Sequence, residues 1–98
     1  MAQMSAPLYQ DRAQRFPMKV PVHFRTGATP HWFDGRTVNI SRTGILIRSD
    51  EPLGARAILD IRVDFPRNVT LECRGTVVRN EESAFAVRIH NCHLLSQL

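Results

Sequence analysis

No stretch of this 98-residue sequence approaches the roughly 18 consecutive apolar residues that a membrane-spanning helix requires. The first residues, Met-Ala-Gln-Met-Ser-Ala-Pro, lack the basic start and apolar run of a secretory signal, so the expectation is a soluble cytoplasmic protein. Cysteine is scarce. Cys73 and Cys92 show no CxxC or other metal spacing and read as small buried or neutral positions, and a single disulfide lacks the support of a secretion signal. Nucleophile elbow, P-loop and zinc motifs are all missing, which argues against an enzyme. His90, Cys92 and His93 offer too few ligands for a metal site and read as a surface cluster. No catalytic residue, cofactor or metal is expected. Lysine is nearly absent as well, with Lys19 alone against twelve arginines.

That imbalance is informative. Arginine forks onto phosphates and guanine edges and stacks on flat rings, whereas lysine is a point charge. With a net charge of +4 and a pI near 10, an anionic partner is favoured, whether nucleotide, nucleic acid or acidic protein. The competing reading is that scattered arginines keep a small β domain soluble. Nucleic acid is a weak candidate, because the outward strand positions are mostly charged or small rather than the aromatics on which single strands stack.

The apolar residues alternate with polar ones in six short segments. Residues 18–24 put Met18, Val20, Val22 and Phe24 on one face, with Pro21 marking an edge or bulge. Residues 26–35 are dense in turn formers and read as a loop whose Trp32 and Phe33 cover the barrel end, the less favoured alternative being a stacking surface. Residues 36–41 and 45–49 form the second and third strands, and 56–65 give the cleanest alternation, with Asp60 and Asp64 outward as solvated charges beside arginines. Residues 69–79 follow, with Gly75 at a bend, and Phe85, Val87 and Ile89 face inward from the last strand. The tail, 91–98, reads as a short helical turn capped by Asn91.

Links of a few residues leave no room for parallel crossovers. The fold expected is therefore all-β, a six-stranded antiparallel barrel with a short C-terminal helical tail, preceded by a mobile arm over 1–10. Residues 11–98 make one domain.

One stretch stands out, Val38-Asn39-Ile40-Ser41-Arg42-Thr43-Gly44-Ile45. A regular strand would place Val38 and Ile40 on one face and Asn39 and Ser41 on the other, and Gly44 would close the turn with a positive φ. Two small hydrogen-bonding side chains then share an exposed shelf. Arg12 and Arg15 precede the first strand.

These residues resemble the PilZ domain family, whose pattern is RxxxR before the first strand and [D/N]xSxxG at the second. Asn39-Ile40-Ser41-Arg42-Thr43-Gly44 matches the second motif in full, and Arg15 with the following strand matches the end of the first. The likeness continues through 44–47, 53–59, 75–79 and 85–89, so that it covers about residues 11–90. The resemblance implies a β-barrel that binds the bacterial second messenger cyclic di-GMP and relays its state to a protein partner in motility, exopolysaccharide or biofilm control. By analogy the ligand residues are Arg12, Arg15, Asn39, Ser41 and Gly44.

One position departs from the pattern. Four residues before Arg15 stands Asp11, with Arg12 beside it, giving RxxR. If the segment is extended, Arg12 turns away from Arg15. If it is a turn, both lie on one side. Pro17 and the lack of alternation lean toward a turn, which keeps Arg12 a candidate. The alternative function is a degenerate PilZ adaptor that acts through protein contacts without binding nucleotide.

Overall fold

A computed structural model describes residues 17–27 and 29–95. The arm expected over 1–10, together with Asp11, Arg12 and Arg15, lies outside the described residues. Six strands follow one another: β1 Pro21–Thr26, β2 Phe33–Ile40, β3 Gly44–Arg48, β4 Ile58–Phe65, β5 Val69–Glu81 and β6 Ala84–Leu95. Every pairing is antiparallel, in the closed order β1-β2-β3-β6-β5-β4, with β4 returning to β1. Closure leaves the barrel proper without a sheet edge. The all-β, six-stranded antiparallel barrel read from the alternation is the fold.

The inward residues fill the barrel. Val22, Phe24, Ile47, Leu59, Ile61, Val63 and Val77 are fully buried, and the Phe24 and Phe85 rings meet edge-on with centroids 5.1 Å apart. Each such side chain contributes about 1.5–3 kcal/mol of burial. Pro21 is the first residue of β1, where a missing N–H costs the ladder least.

Several boundaries differ from the periodicity reading. The first strand begins at Pro21 rather than Met18, and Met18 is exposed. Phe33 to Gly35 belong to β2 instead of the loop; Phe33 packs against the core, 5.8 Å from Phe24 between ring centroids. Trp32 does not close the barrel end. It lies on the outer wall with the Arg25 and Arg62 guanidiniums 4.4 and 4.8 Å from its ring centroid, a stacking that cations on an aromatic face favour.

The helical tail is also corrected: β6 runs on as strand to Leu95, and residues 96–98 lie outside the described part. Pairing with Thr70 to Arg74 satisfies backbone groups that one or two isolated helical turns would leave open. The β5–β6 register shifts between Arg74 and Gly75, the bend expected at Gly75. A Cβ at Gly75 would lie 2.5 Å from the Arg88 carbonyl oxygen, so the strands approach too closely there for any side chain.

This same ribbon sets Cys73 directly opposite Cys92, with Cα atoms 4.1 Å apart, and the two form a disulfide. Cys73 is buried and Cys92 exposed. Cys73 is the small buried position expected, but the two are joined in a bond that the reading as buried or neutral positions did not favour. Nineteen residues apart in sequence, they meet only because the register puts them in one rung. Among the described residues no helix is long and apolar enough to cross a membrane.

Candidate functional site

The shelf motif occupies the end of β2, a tight turn and the start of β3. Thr37 pairs with Ile47 and Asn39 with Leu46, so Val38 is an extra residue on β2. This bulge decides which way the motif faces. Thr37 points inward and is 1% exposed, Asn39 lies opposite the outward Leu46, and Ile40 returns inward against the core beside Ile45. The expected Val38/Ile40 face is therefore replaced by Thr37 and Ile40 inside. Asn39 still reaches the outer wall.

Ser41 is the keystone of the turn. Its Oγ accepts the Gly44 amide at 3.1 Å and the Thr43 amide at 3.3 Å, and its hydroxyl faces the Gly44 carbonyl at 3.3 Å. The Ser41 amide donates to the same carbonyl at 2.9 Å. Serine at this position folds the loop on itself, as short hydroxyl side chains do in tight turns. Gly44 does not have a positive φ. Its requirement is space: a Cβ there would sit 2.9 Å from the Val87 carbonyl oxygen of β6.

The register extends the shelf across the sheet. Asn39, Leu46, Ala86 and Arg79 are successive cross-strand partners on β2, β3, β6 and β5. The neighbouring row joins Gly44, Arg88 and Thr76, with Thr76 Oγ1 2.8 Å from His90 Nε2. Paired residues present their side chains on one face. Arg79 and Arg88 therefore flank the motif, although they lie 40 or more positions away from Asn39 in sequence. Alternation marked both strands, but only pairing shows that they adjoin the shelf.

Charge is distributed unevenly over the barrel. On the β1–β4–β5 wall Asp60 takes both Arg25, at 3.3 Å, and Arg74, at 3.0 Å, while Arg62 pairs with Glu72 at 3.0 Å. Glu72 also meets His93 at 3.1 Å. Asp64 accepts from Thr70 at 3.1 Å and faces His23 Nε2 at 3.1 Å, and Asp34 faces His23 Nδ1 at 2.8 Å. Asp60 thus pairs with neighbouring arginines as expected, whereas Asp64 meets His23 and Thr70 rather than an arginine. Around the shelf, Arg79 pairs with Glu81 at 2.7 Å. Arg36, Arg42, Arg48 and Arg88 have no carboxylate within ion-pair distance among the described residues. Arg56 and Arg67, outside the shelf, are likewise without one, so four of the six such arginines among the described residues lie on or beside the shelf wall.

No group of three or more His, Cys, Asp or Glu side chains among the described residues could hold a metal ion. Of the five ligand residues expected, Asn39, Ser41 and Gly44 are brought together in one turn. Arg12 and Arg15 lie outside the described residues, which begin at Pro17, and from there to Val20 the chain runs along β2.

Comparison with known proteins agrees with this architecture. The chain matches the PilZ domain family model over residues 9–96. No curated protein matches it. Among solved structures it is similar to the PilZ domain of CeSA from a cellulose-synthesizing bacterium, with a TM-score of 0.71 and 17% identity over 81% of this chain and 82% of that one. PilZ domains are generally cyclic di-GMP receptors and act as binding or adaptor modules. With the family model spanning nearly its whole length, this chain belongs to the PilZ domain family.

Proposed function

We propose that this domain is a cyclic di-GMP receptor whose ligand lies on the outer β2–β3–β6–β5 wall, above Asn39 and the Ser41–Gly44 turn. The observation that carries the reading is the coincidence of a complete NxSxxG turn with the wall where arginine charge is left uncompensated. Cyclic di-GMP offers two phosphodiesters and two guanines, which are the groups a guanidinium can fork onto or stack against. Asn39 carries both a donor and an acceptor for a guanine edge. Ser41 holds the turn, its hydroxyl hydrogen turning from the Gly44 carbonyl to the guanine when the ligand binds, and Gly44 keeps the turn flush with β6 so that the ligand can approach.

Arg15, with Arg12 assisting, supplies the clamp from the segment before β1, and ligand binding orders that segment at an entropic cost. Ordering it changes the surface offered to a protein partner, through which the cytoplasmic domain would act on motility or biofilm pathways. Nothing in the site calls for a catalytic role.

Calorimetric titration of the protein with cyclic di-GMP at low salt tests the reading. A saturable 1:1 or 2:1 heat is expected. Absence of heat at tens of micromolar protein would overturn it.

A further inference from the structure

Arg36 of β2 and Arg48 of β3 are direct cross-strand partners, a placement that sets two like charges opposite each other. Such a pair is unfavourable in a sheet, where opposite charges stabilise and like charges repel. Both residues are exposed, and among the described residues neither has a carboxylate within ion-pair distance. Both line the same open cavity of about 750 Å³, which Gly35, Ser49 and Ser83 also line.

Two carboxylates stand at this cavity, Asp34 and Asp50. The Asp34 side chain is engaged by His23 at 2.8 Å, and the Ser49 hydroxyl turns away to the Asp34 carbonyl at 3.4 Å. Two guanidiniums and two carboxylates thus line the cavity, but neither carboxylate comes within ion-pair distance of Arg36 or Arg48, and Asp34 is held by His23 instead. A Cβ at Gly35 would point into the barrel, 2.9 Å from the Arg48 carbonyl oxygen and 3.1 Å from the Ile47 side chain, so β2 lies tight against β3 beside this pair.

We propose that Arg36 and Arg48 form a binding site for a phosphoryl anion, distinct from the NxSxxG turn but on the same wall. Their Cβ atoms stand about 5 Å apart, as in any direct cross-strand pair. The non-bridging oxygens of a phosphoryl group project at a tetrahedral angle, so that each can accept from a different guanidinium. Bridging the two cations removes the repulsion that the empty pair carries. Arg48 is two residues from Leu46, the neighbour of Asn39, so the anion would sit about 7 Å along the strand from the shelf. The occupant can be the phosphodiester of a nucleotide seated on that shelf, a version that rests on the function proposed above, or a separate phosphorylated molecule.

The test is amide NMR on the whole chain, with inorganic pyrophosphate and cyclic di-GMP as separate probes at constant ionic strength. Pyrophosphate should shift the Gly35, Arg36 and Ser49 amides saturably. The double variant Arg36→Gln/Arg48→Gln should weaken that binding at least tenfold, Arg36→Lys less, and the control Arg67→Gln not at all. Cyclic di-GMP moving these amides together with those of Asn39 and Gly44, and losing tenfold or more in affinity in the double variant, identifies the anion as its phosphodiester. If pyrophosphate saturates the site while cyclic di-GMP moves none of these amides, the site serves a separate phosphorylated ligand. Shifts that fail to saturate, or that persist unchanged in a folded double variant, overturn the proposal even where cyclic di-GMP binds the shelf.

Discussion

The Thr37 hydroxyl, buried inside β2, accepts the Val20 amide proton at 2.9 Å and donates to the Met18 carbonyl. The Thr37 amide in turn donates to the Val20 carbonyl at 3.0 Å. Thr37 is the only buried polar side chain among the described residues, and it ties the segment entering β1 to β2 two positions before Asn39. Bulk and burial at this site suit valine, but valine offers no oxygen.

Replacement of Thr37 by Val therefore leaves the Val20 amide without its side-chain partner and should cost about 1–3 kcal/mol. In a domain of this size that lowers the melting temperature by very roughly 4–8 °C per kcal/mol. If the segment before β1 carries the arginine clamp, cyclic di-GMP affinity should fall in the same variant more than in an equally destabilising core variant such as Val63→Ala. Thermal melts with matched calorimetry separate the two effects.

The arginines before β1 give a second prediction. Arg15→Ala should abolish cyclic di-GMP binding, and Arg12→Ala should weaken it. An unchanged affinity in Arg12→Ala removes Arg12 from the site. Asp11→Arg restores the family spacing; a large gain in affinity would show the natural clamp to be impaired, whereas no gain would show that Arg12 already serves.

Gly44→Ala is a packing test rather than a backbone-angle test. With no positive φ to relieve, the added methyl meets the Val87 carbonyl oxygen at 2.9 Å, and backbone cannot swing aside as a side chain can. The expected loss is about 1–3 kcal/mol, from overpacking at the β3–β6 seam. Denaturant midpoints measure it, and a neutral result would mean that the strands can part there without penalty.

Reduction of the Cys73–Cys92 bond should destabilise the β5–β6 ribbon. Closing a loop of this length is worth about 3 kcal/mol in the chain-entropy account. Melting with and without reductant, paired with a thiol count in denaturant, checks both the bond and its contribution. Cys92→Ser should melt like the reduced protein.

Much of this molecule was legible in its residues, because alternation is a local property. Core positions such as Val22, Phe24, Leu59, Ile61, Val63, Phe85 and Val87 were readable from period-two spacing alone, and so were the six strands. The NxSxxG stretch, together with the arginine before the first strand and the likeness over about residues 11–90, also pointed to the family. Register is different, since it depends on which distant residue a strand meets. Pairing alone put the bulge at Val38, which turns Thr37 inward and keeps Asn39 outward. It also set Cys73 against Cys92, carried the tail on as strand, and placed Arg79 and Arg88 beside the shelf. The sequence determined what each strand would bury; closure of the barrel decided which side chains would be neighbours, because cross-strand distance has no counterpart in spacing along the chain.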